Sequence, residues 1–454
     1  MVSANDVFVR YLAEALGAGR VPAVLEALDR APSVSVRLNP YKKRTDFPGS
    51  RPVPWSEYGM MLPGRPVFTL DPFFHGGCYY VQDSSSMFVG YMLRQVLKSM
   101  SLPAPLRVLD LCASPGGKTT DACASLRAVC GDDFILVSNE AIRSRVAALA
   151  VNAAMWGDPA VTVTNADPAG FGSGLEGFFD VILADVPCSG EGMFRKDAEA
   201  VSQWSAENVA HCAARQRRIL SDVWPSLVGG GVLIYSTCTF NVYENDRNVA
   251  WAAGNLGAEV LYPVGAEVPA GVIPTEYGFS LVPGYVEGEG QYCAVLRKTS
   301  PQDRKVAGRT RPGKKDSRCL YLENLFDIPV RPVVRGDLVK AVPENIADDA
   351  ACVGERVRVI SSGCAAGSYK GRDFVPDADL ALDICLNKDA FPRAEVDRRT
   401  ALAFLHRDAI VLGNMEKGYV LICHEGVPLG FVKNLGNRCN SLYPMERRIR
   451  MDID

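Results

Sequence analysis

The chain has 454 residues, which is too long for one compact core and corresponds to about three domains. Apolar residues make up 48% of it and charged residues 22%, a balance that is typical of globular proteins and excludes a disordered chain. The formal net charge of −3 excludes a protein that is basic throughout, such as a coat protein of nucleic acid.

Residues 1–75 are predicted to form a small α+β cap at the N-terminus. A helical pattern extends over about 7–28, and Pro32 ends it. Alternating apolar and polar residues at 33–38 predict a strand. The segment 48–66 contains five prolines and is predicted to be a loop.

Residues 76–300 alternate between apolar, strand-like runs and helical stretches. The strand-like runs lie at 106–111, 134–137, 161–164, 179–183 and 232–235. The helical stretches lie at about 117–130, 141–156 and 200–227. Such alternation requires crossover connections, so it predicts a doubly wound, mostly parallel α/β sheet.

The last third of the chain differs from the core in charge. Residues 1–300 contain 24 basic and 30 acidic side chains, whereas 301–454 contain 25 and 22, so a polyanionic partner would be met in the last third. Seven basic residues lie in a segment at 301–318, which is either a solvated linker or a strap that contacts phosphates. A small α/β domain is predicted for 319–388 and a strand-rich domain for 389–454. Its strands are predicted at 418–423 and 428–432.

The 14 cysteines and four histidines do not have metal-site spacing. No two cysteines form a C-x-x-C pair, so the usual zinc-finger patterns are excluded and no metal is expected. Free thiols in this number are typical of a reducing compartment. Neither a signal peptide nor an apolar run long enough to span a bilayer is evident, and we therefore expect a cytoplasmic protein without a membrane segment.

The sharpest local signal is the turn at 112–119, with the sequence CASPGGKT. Its end resembles a P-loop, but Cys112 stands where that motif requires a glycine, and no G-x-G-x-x-G fingerprint is present. What remains is a strand that ends in a tight Pro-Gly-Gly turn at the start of a helix. Such a turn lets a ligand approach the backbone closely at the carboxyl edge of the sheet.

Three carboxylates follow the next three predicted strands. Glu140 ends the second strand, Asp167 follows the third and Asp185 follows the fourth. Each one alone is more often a helix N-cap or a turn residue than a ligand. Because four successive strands end in a turn or a carboxylate at one edge, we expect a ligand site there.

Two adjacent strands each deliver a cysteine to the same edge. Cys188 follows the fourth strand and Cys238 follows the fifth, both among polar residues. A free cysteine is usually a small buried apolar residue. These two surroundings instead favour a thiol that can ionise and act as a nucleophile.

These motifs together resemble the RNA (cytosine-5) methyltransferases. The resemblance is carried by the 112–119 turn, by Asp185-Val186-Pro187-Cys188 and by Ser236-Thr237-Cys238. Segments 36–40, 82–87, 372–376 and 391–397 further resemble a bacterial branch that acts on small-subunit ribosomal RNA and ends in a PUA-like RNA-binding domain. This sequence departs from the pattern at Ser84, where proline is usual, and at Phe431, where tryptophan is common.

The resemblance implies a Rossmann-like core that binds S-adenosylmethionine, with Glu140 on the ribose and Asp167 near the adenine. The residues implied in binding the cofactor are Cys112, Ala113, Ser114, Pro115, Gly116, Gly117, Lys118, Glu140, Asp167 and Asp185. Lys118 is alternatively an ion-pair partner for a strand-end carboxylate. Arg145 has either a structural role or a contact with substrate.

The resemblance also assigns the chemistry. Cys238 is implied as the nucleophile that attacks C6 of a cytosine, Asp185 as the group that contacts the ring near N3, and Cys188 as the residue that resolves the covalent adduct. The implied partner is RNA, either small-subunit ribosomal RNA or the 30S particle. The N-terminal cap is expected to hold part of this RNA, and the protein is expected to be a monomer. Three alternatives stay open: a transfer RNA methyltransferase, a catalytically silent RNA-binding assembly factor, and a P-loop-like nucleotide hydrolase.

Overall fold

The structure is a computed structural model, and it covers all but a few short segments of the chain. The residues it describes are 5–262, 268–305, 308, 322–371, 373–413 and 415–453. Most of the basic segment at 301–318 lies outside the described residues, with Arg304 and Lys305 inside, and so does Arg372 of the 372–376 motif. Within the described part, no helix combines the length and apolar character needed to cross a bilayer.

In its described residues, from Asn5 onward, the N-terminal cap contains three α-helices and a four-stranded antiparallel sheet of order β2-β3-β1-β4. Its elements are α1 (Asp6–Leu16), α2 (Val21–Leu28), β1 (Val34–Leu38), β2 (Arg51–Val53), β3 (Ser56–Leu62), α3 (Pro72–His75) and β4 (Tyr79–Val81). The predicted helical stretch is two helices, because Gly17 adopts a φ of 84° between them. The loop predicted for 48–66 is wrong, since this segment forms the β2–β3 hairpin. Pro52 fits there because β2 is an edge strand.

The core is a ten-stranded sheet with helices on both faces. Its elements are α4 (Met87–Ser99), β5 (Leu106–Asp110), α5 (Gly117–Cys130), β6 (Phe134–Asn139), α6 (Val146–Trp156), β7 (Val161–Thr164), α7 (Pro168–Gly174), β8 (Phe179–Asp185), α8 (Ala198–Gln203), α9 (Ala206–Val223), β9 (Leu227–Thr237), α10 (Asp246–Leu256), β10 (Ala258–Leu261), β11 (Ile273–Pro274), β12 (Phe279–Leu281) and β13 (Gln291–Lys298). The chain continues from β5 to β6 on one side and returns to β8 on the other. That reversal opens a crevice at the carboxyl ends of the strands.

Strands β7, β6, β5, β8 and β9 pair in parallel in that order, and β13 lies antiparallel beside β9. All five predicted core strands are present, and the predicted doubly wound sheet is confirmed. The predicted helix at 200–227 is two helices, α8 and α9, separated at Trp204 and Ser205.

The described residues of the C-terminal part form two four-stranded sheets and add one strand to the core. Its elements are β14 (Val330–Arg335), β15 (Leu338–Pro343), α11 (Ala347–Arg356), β16 (Val359–Ser362), β17 (Cys364–Lys370), β18 (Asp373–Pro376), α12 (Ala378–Leu382), β19 (Arg393–Glu395), α13 (Arg398–His406), β20 (Gly418–His424), β21 (Val427–Asn434) and β22 (Cys439–Ser441). Strand β16 pairs antiparallel with β7 and thereby extends the core sheet at its edge.

Apolar packing joins the first and last domains of the chain. One buried cluster contains Val36 and Tyr79 of the cap together with Phe404 and Ile422 of the last domain. A second cluster joins the small domain to the last one. The last domain is therefore packed against the cap through a shared apolar surface. Burial of such a surface is the largest favourable contribution to an interface.

Candidate active site

The two predicted strand-end cysteines lie together at the carboxyl edge of the sheet. Strands β8 and β9 are parallel neighbours, with Asp185 in register with Ser236, so the loops that follow them leave the sheet side by side. The sulfur atoms of Cys188 and Cys238 are 3.3 Å apart. Both side chains are partly exposed, so the pair is accessible from the crevice.

The two thiols have different surroundings. The hydrogen bond to Cys238 and burial both raise the pKa of the Cys188 thiol well above its ordinary value. Both causes favour the protonated form of Cys188, which is not the nucleophilic form of a thiol.

Asp185 is the last residue of β8, and its carboxylate is held by three groups. The Lys118 ammonium lies 2.8 Å from Oδ2, while the Ser236 hydroxyl and the Gln291 amide donate to Oδ1 at 2.7 and 3.1 Å. Burial disfavours the charge of Lys118, but the adjacent Asp185 outweighs it and raises the pKa of Lys118, so the lysine stays cationic. Of the two roles predicted for Lys118, the structure shows the ion pair.

The turn before α5 is braced from two sides. Gly116 caps the helix with a φ of 116°, a conformation that suits glycine. The Asn152 amide donates to the carbonyl of Pro115 at 2.8 Å. Ser114 and Arg145 exchange hydrogen bonds, from the Ser114 hydroxyl to the Arg145 carbonyl at 3.0 Å and from the Arg145 guanidinium to the Ser114 carbonyl at 3.1 Å. Arg145 thus braces the turn.

Cys112, Ala113 and Gly117 complete the turn that was predicted to hold the cofactor. Ala113 donates its backbone N–H to the carbonyl of Asn139 at the end of β6, which fixes the turn to the sheet. Burial raises the pKa of the Cys112 thiol well above its ordinary value. Cys112 is therefore a neutral thiol and not a second nucleophile.

Asp110, at the end of β5, contributes a carboxylate that we did not single out from the sequence. Its Oδ2 accepts from the Thr119 hydroxyl at 2.7 Å, whereas its buried Oδ1 has no hydrogen-bond partner among the described residues. Burial raises the pKa of Asp110 to about 7, and nearby Asp185 and Glu140 act in the same direction. An unmatched acceptor among three carboxylates and one lysine favours a ligand that carries positive charge and hydrogen-bond donors.

Glu140 and Asp167 lie at the next two strand ends. Glu140 is buried, with Oε1 accepting from the backbone N–H of Ile142 at 2.8 Å and Oε2 at 3.6 Å from Arg145. Asp167 is exposed and caps α7 by accepting from the backbone N–H of Ala169 at 3.1 Å. Glu140 thus lies beside Arg145, which braces the turn, whereas Asp167 occupies a helix N-cap position, the alternative role that the sequence allowed.

The residues that sequence reasoning missed come from outside the strand-end motifs. Gln291 belongs to β13, which reaches Asp185 only because β13 pairs with β9. Glu191 and Glu244 are fully buried behind the two cysteines. Only the spacing of Glu191 three residues after Cys188 could have suggested its place, and nothing in the sequence indicates Gln291.

Three family models match consecutive parts of the chain. They describe the N-terminal domain of 16S rRNA methyltransferase RsmF at residues 5–84, 16S rRNA methyltransferase RsmB/F at 102–297, and the methyltransferase RsmF PUA domain at 391–449. The last of these confirms the predicted PUA-like domain.

Curated relatives and solved structures agree with these matches. The chain is 31% identical over 423 residues to ribosomal RNA small subunit methyltransferase F of Shigella boydii, covering 87% of this chain and 84% of the relative. The protein of the same name from Serratia proteamaculans is 31% identical over 387 residues, covering 82% and 78%. A solved methyltransferase homolog from Pyrococcus horikoshii superposes with a TM-score of 0.54 at 24% identity, over 65% of this chain and 96% of that one, and supports the core fold.

Proposed function

Because the chain belongs to the family of ribosomal RNA small subunit methyltransferase F, an S-adenosylmethionine-dependent RNA methyltransferase, we propose that it methylates C5 of a cytosine in small-subunit ribosomal RNA. The observation that carries this proposal is the pair of cysteine sulfurs 3.3 Å apart at the carboxyl edge of the sheet. A methyltransferase that acts on oxygen or nitrogen needs no such pair. Carbon C5 of cytosine is a poor nucleophile until a thiolate adds to C6, and a second cysteine beside the first is placed to help release that adduct.

We propose that the cofactor binds in the crevice beside this pair. The residues we propose to hold it are those of the 112–118 turn together with Glu140, Asp167 and Asp185, and the unmatched Asp110 oxygen adds an acceptor for a cationic group. S-adenosylmethionine supplies the methyl group. Lys118, tied to Asp185 at 2.8 Å, neutralises one carboxylate and fixes the turn to the end of β8.

The chain's own residues then divide the covalent chemistry. The Cys238 thiolate forms a bond to C6, and the electron pair of the C5–C6 double bond makes C5 nucleophilic. Asp185, oriented by Ser236 and Gln291, contacts the ring near N3 and stabilises the charge that develops there. After C5 carries the methyl group, its proton passes to water, the electron pair of the C5–H bond re-forms the C5–C6 double bond, and the C6–S bond breaks to return the Cys238 thiolate. Cys188 assists this last step from 3.3 Å away.

The RNA must present the target base outside any stack, because a base within a helix cannot reach Cys238. We propose that the basic last third of the chain, the cap and the PUA domain hold the RNA through its phosphates, which predicts binding that weakens with salt. The proposal includes a monomeric enzyme in the cytoplasm, with small-subunit RNA or the 30S particle as substrate. A transfer RNA substrate and an assembly factor without activity are the alternatives that the experiment below addresses.

The experiment tests four proteins with labelled S-adenosylmethionine and, as substrates, small-subunit RNA, 30S particles and transfer RNA. We expect wild type to methylate small-subunit RNA or the particle, Cys238→Ala to be inactive, and Cys188→Ala to accumulate a protein–RNA adduct that survives denaturing electrophoresis. Cys130→Ala, which removes a partly exposed thiol at the end of α5, is the matched control and should behave as wild type.

The outcomes separate the alternatives. No transfer by wild type to any RNA would favour the assembly factor, and transfer to transfer RNA alone would correct the substrate. Full activity of Cys238→Ala would overturn the nucleophile assignment. Bisulfite sequencing of the labelled RNA identifies the modified cytosine.

A further inference from the structure

Two buried glutamates lie between the loops that carry the catalytic cysteines. We call residues 186–193 the Cys188 loop and residues 238–245 the Cys238 loop. Glu191 belongs to the first and is 1% exposed, and Glu244 belongs to the second and is 0% exposed. Neither carboxylate forms an ion pair with a lysine or arginine of the described chain. A buried charge without a cation is costly unless hydrogen bonds satisfy it.

Each carboxylate holds the backbone of the opposite loop. Glu191 accepts the backbone N–H groups of Phe240 at 2.5 Å and Asn241 at 3.1 Å, two and three residues after Cys238. Glu244 accepts the backbone N–H of Ser189 at 3.0 Å, directly after Cys188. The shape of each cysteine loop therefore depends on the carboxylate that the other loop supplies.

The amide of Asn241 joins the two carboxylates. Its nitrogen donates to Glu191 at 3.0 Å and to Glu244 at 2.9 Å. Outside this centre, the Trp204 indole donates to Glu191 at 2.9 Å and the Gln216 amide to Glu244 at 2.7 Å. Each glutamate thus accepts four hydrogen bonds from uncharged donors and is not fixed to a cation. Burial and the neighbouring Glu191 nevertheless raise the pKa of Glu244 to about 7.

We propose that Glu191 and Glu244 are positioning residues with different tasks: Glu191 holds the loop of the nucleophile Cys238, and Glu244 holds the loop of the resolving residue Cys188. This inference rests on the proposed function for the names of the two tasks. The structural part, that each glutamate fixes one cysteine, stands on the hydrogen bonds alone. It assigns roles in the reaction to two residues that lie outside the strand-end motifs.

The test replaces each glutamate by glutamine, which preserves volume but presents one acceptor oxygen instead of two. In Glu191→Gln the amide NH₂ must face either the two backbone N–H groups or the donors from Asn241 and Trp204, so the Cys238 loop loses support. We expect adduct formation with RNA to fall about tenfold. In Glu244→Gln the Cys188 loop loses support, and we expect the adduct to accumulate about tenfold relative to methylated product.

A second readout does not depend on activity. Iodoacetamide labelling followed by mass spectrometry gives the alkylation rate of each cysteine separately. We expect the rate at Cys238 to change most in Glu191→Gln and the rate at Cys188 to change most in Glu244→Gln. Failure of wild type to methylate RNA would remove the proposed function, and the labelling would still decide whether each glutamate fixes the cysteine assigned to it.

The matched control is Asp349→Asn, which also neutralises a buried carboxylate. The native Asp349 pairs with Arg107 in another part of the core. The variant should lower stability and leave both the adduct ratio and the labelling rates unchanged. If Glu244→Gln does not fold, Ser189→Ala removes the hydroxyl that donates to Glu244 and also contacts Thr239 and Asn241, while the backbone bond from Ser189 to Glu244 stays. We then expect a smaller accumulation of adduct. The inference is overturned if both glutamine variants lose activity, accumulate the same amount of adduct and show the same labelling rates at the two cysteines. Where Ser189→Ala is used instead of Glu244→Gln, the inference is overturned if the adduct stays at the wild-type level.

Discussion

Gly192 offers a direct test of how tightly the position of the nucleophile is set. Its backbone N–H donates to the carbonyl of Cys238 at 2.8 Å, so the two cysteine loops touch at this point. A methyl group added at Gly192 would lie 2.8 Å from that same carbonyl oxygen and 3.2 Å from the carbonyl oxygens of Glu289 and Gly290. All three neighbours are backbone atoms, which cannot rotate away as a side chain can.

The size of the effect of Gly192→Ala follows from these distances. Carbon–oxygen contacts are ordinarily no shorter than about 3.3 Å, so the Cys238 carbonyl must move by about 0.5 Å. Because a displacement of about 1 Å at a reacting group costs about a hundredfold in rate, we expect kcat to fall about tenfold, or ~1.4 kcal/mol in the activation free energy. Overpacking should also lower the free energy of unfolding by about 1–3 kcal/mol.

The assay is steady-state transfer of labelled methyl groups, with a thermal unfolding curve for each protein. The KM for S-adenosylmethionine should stay at the wild-type value, because Gly192 lies in the Cys188 loop and not in the cofactor turn. Gly254→Ala is the control: its added methyl group has no heavy atom within 4 Å, and an alanine inside α10 should stabilise the protein by about 0.5–1 kcal/mol. A wild-type kcat in Gly192→Ala would refute the reasoning.

Two further predictions concern stability. Asp349 lies 2.7 Å from Arg107, and each side chain is 5% exposed. Asp349→Asn should lower the free energy of unfolding by ~3 kcal/mol, because Arg107 is then left buried without its carboxylate partner. An unchanged midpoint of unfolding in urea would contradict this. Burial raises the pKa of Asp383 from 3.8 to about 7, so its folded form resists ionisation and stability falls as the pH rises from about 4 to about 7. Asp383→Asn should therefore stabilise the protein at pH 8, by at most ~4 kcal/mol, and less at pH 5, and equal differences in melting temperature at the two pH values would speak against it.

The core strands were predictable because they are buried on both faces. Strand β6 is apolar at every position from Phe134 to Val137, and each of its residues is buried. Burial on both faces can be predicted from the residues of such a strand alone, since a parallel sheet covered by helices needs apolar side chains on both sides. The helix α5 was predictable to the residue because a glycine turn and a strand precede it.

The cap was less predictable because its strands depend on distant partners. Strand β2 has only three residues, two of them exposed, and a proline in the middle. It forms because β3 pairs with both β2 and β1, and the proline occupies the open edge. A local pattern cannot report a partner elsewhere in the chain, and the same reason hid Gln291 and the reciprocal bonds of Glu191 and Glu244.

The way the domains pack bears on how a base could reach the cysteine pair. The last domain shares a buried apolar cluster with the cap, and β16 extends the core sheet beside β7. A domain held by a continuous apolar interface does not reorient freely, unlike one joined only by a flexible linker. An RNA bound by the PUA domain would then lie at a fixed distance and angle from the pair. The packing of the domains, rather than the basic segment at 301–318, would therefore select which cytosine enters the crevice. Shortening that segment should weaken RNA binding more than it changes the position of the methylated cytosine.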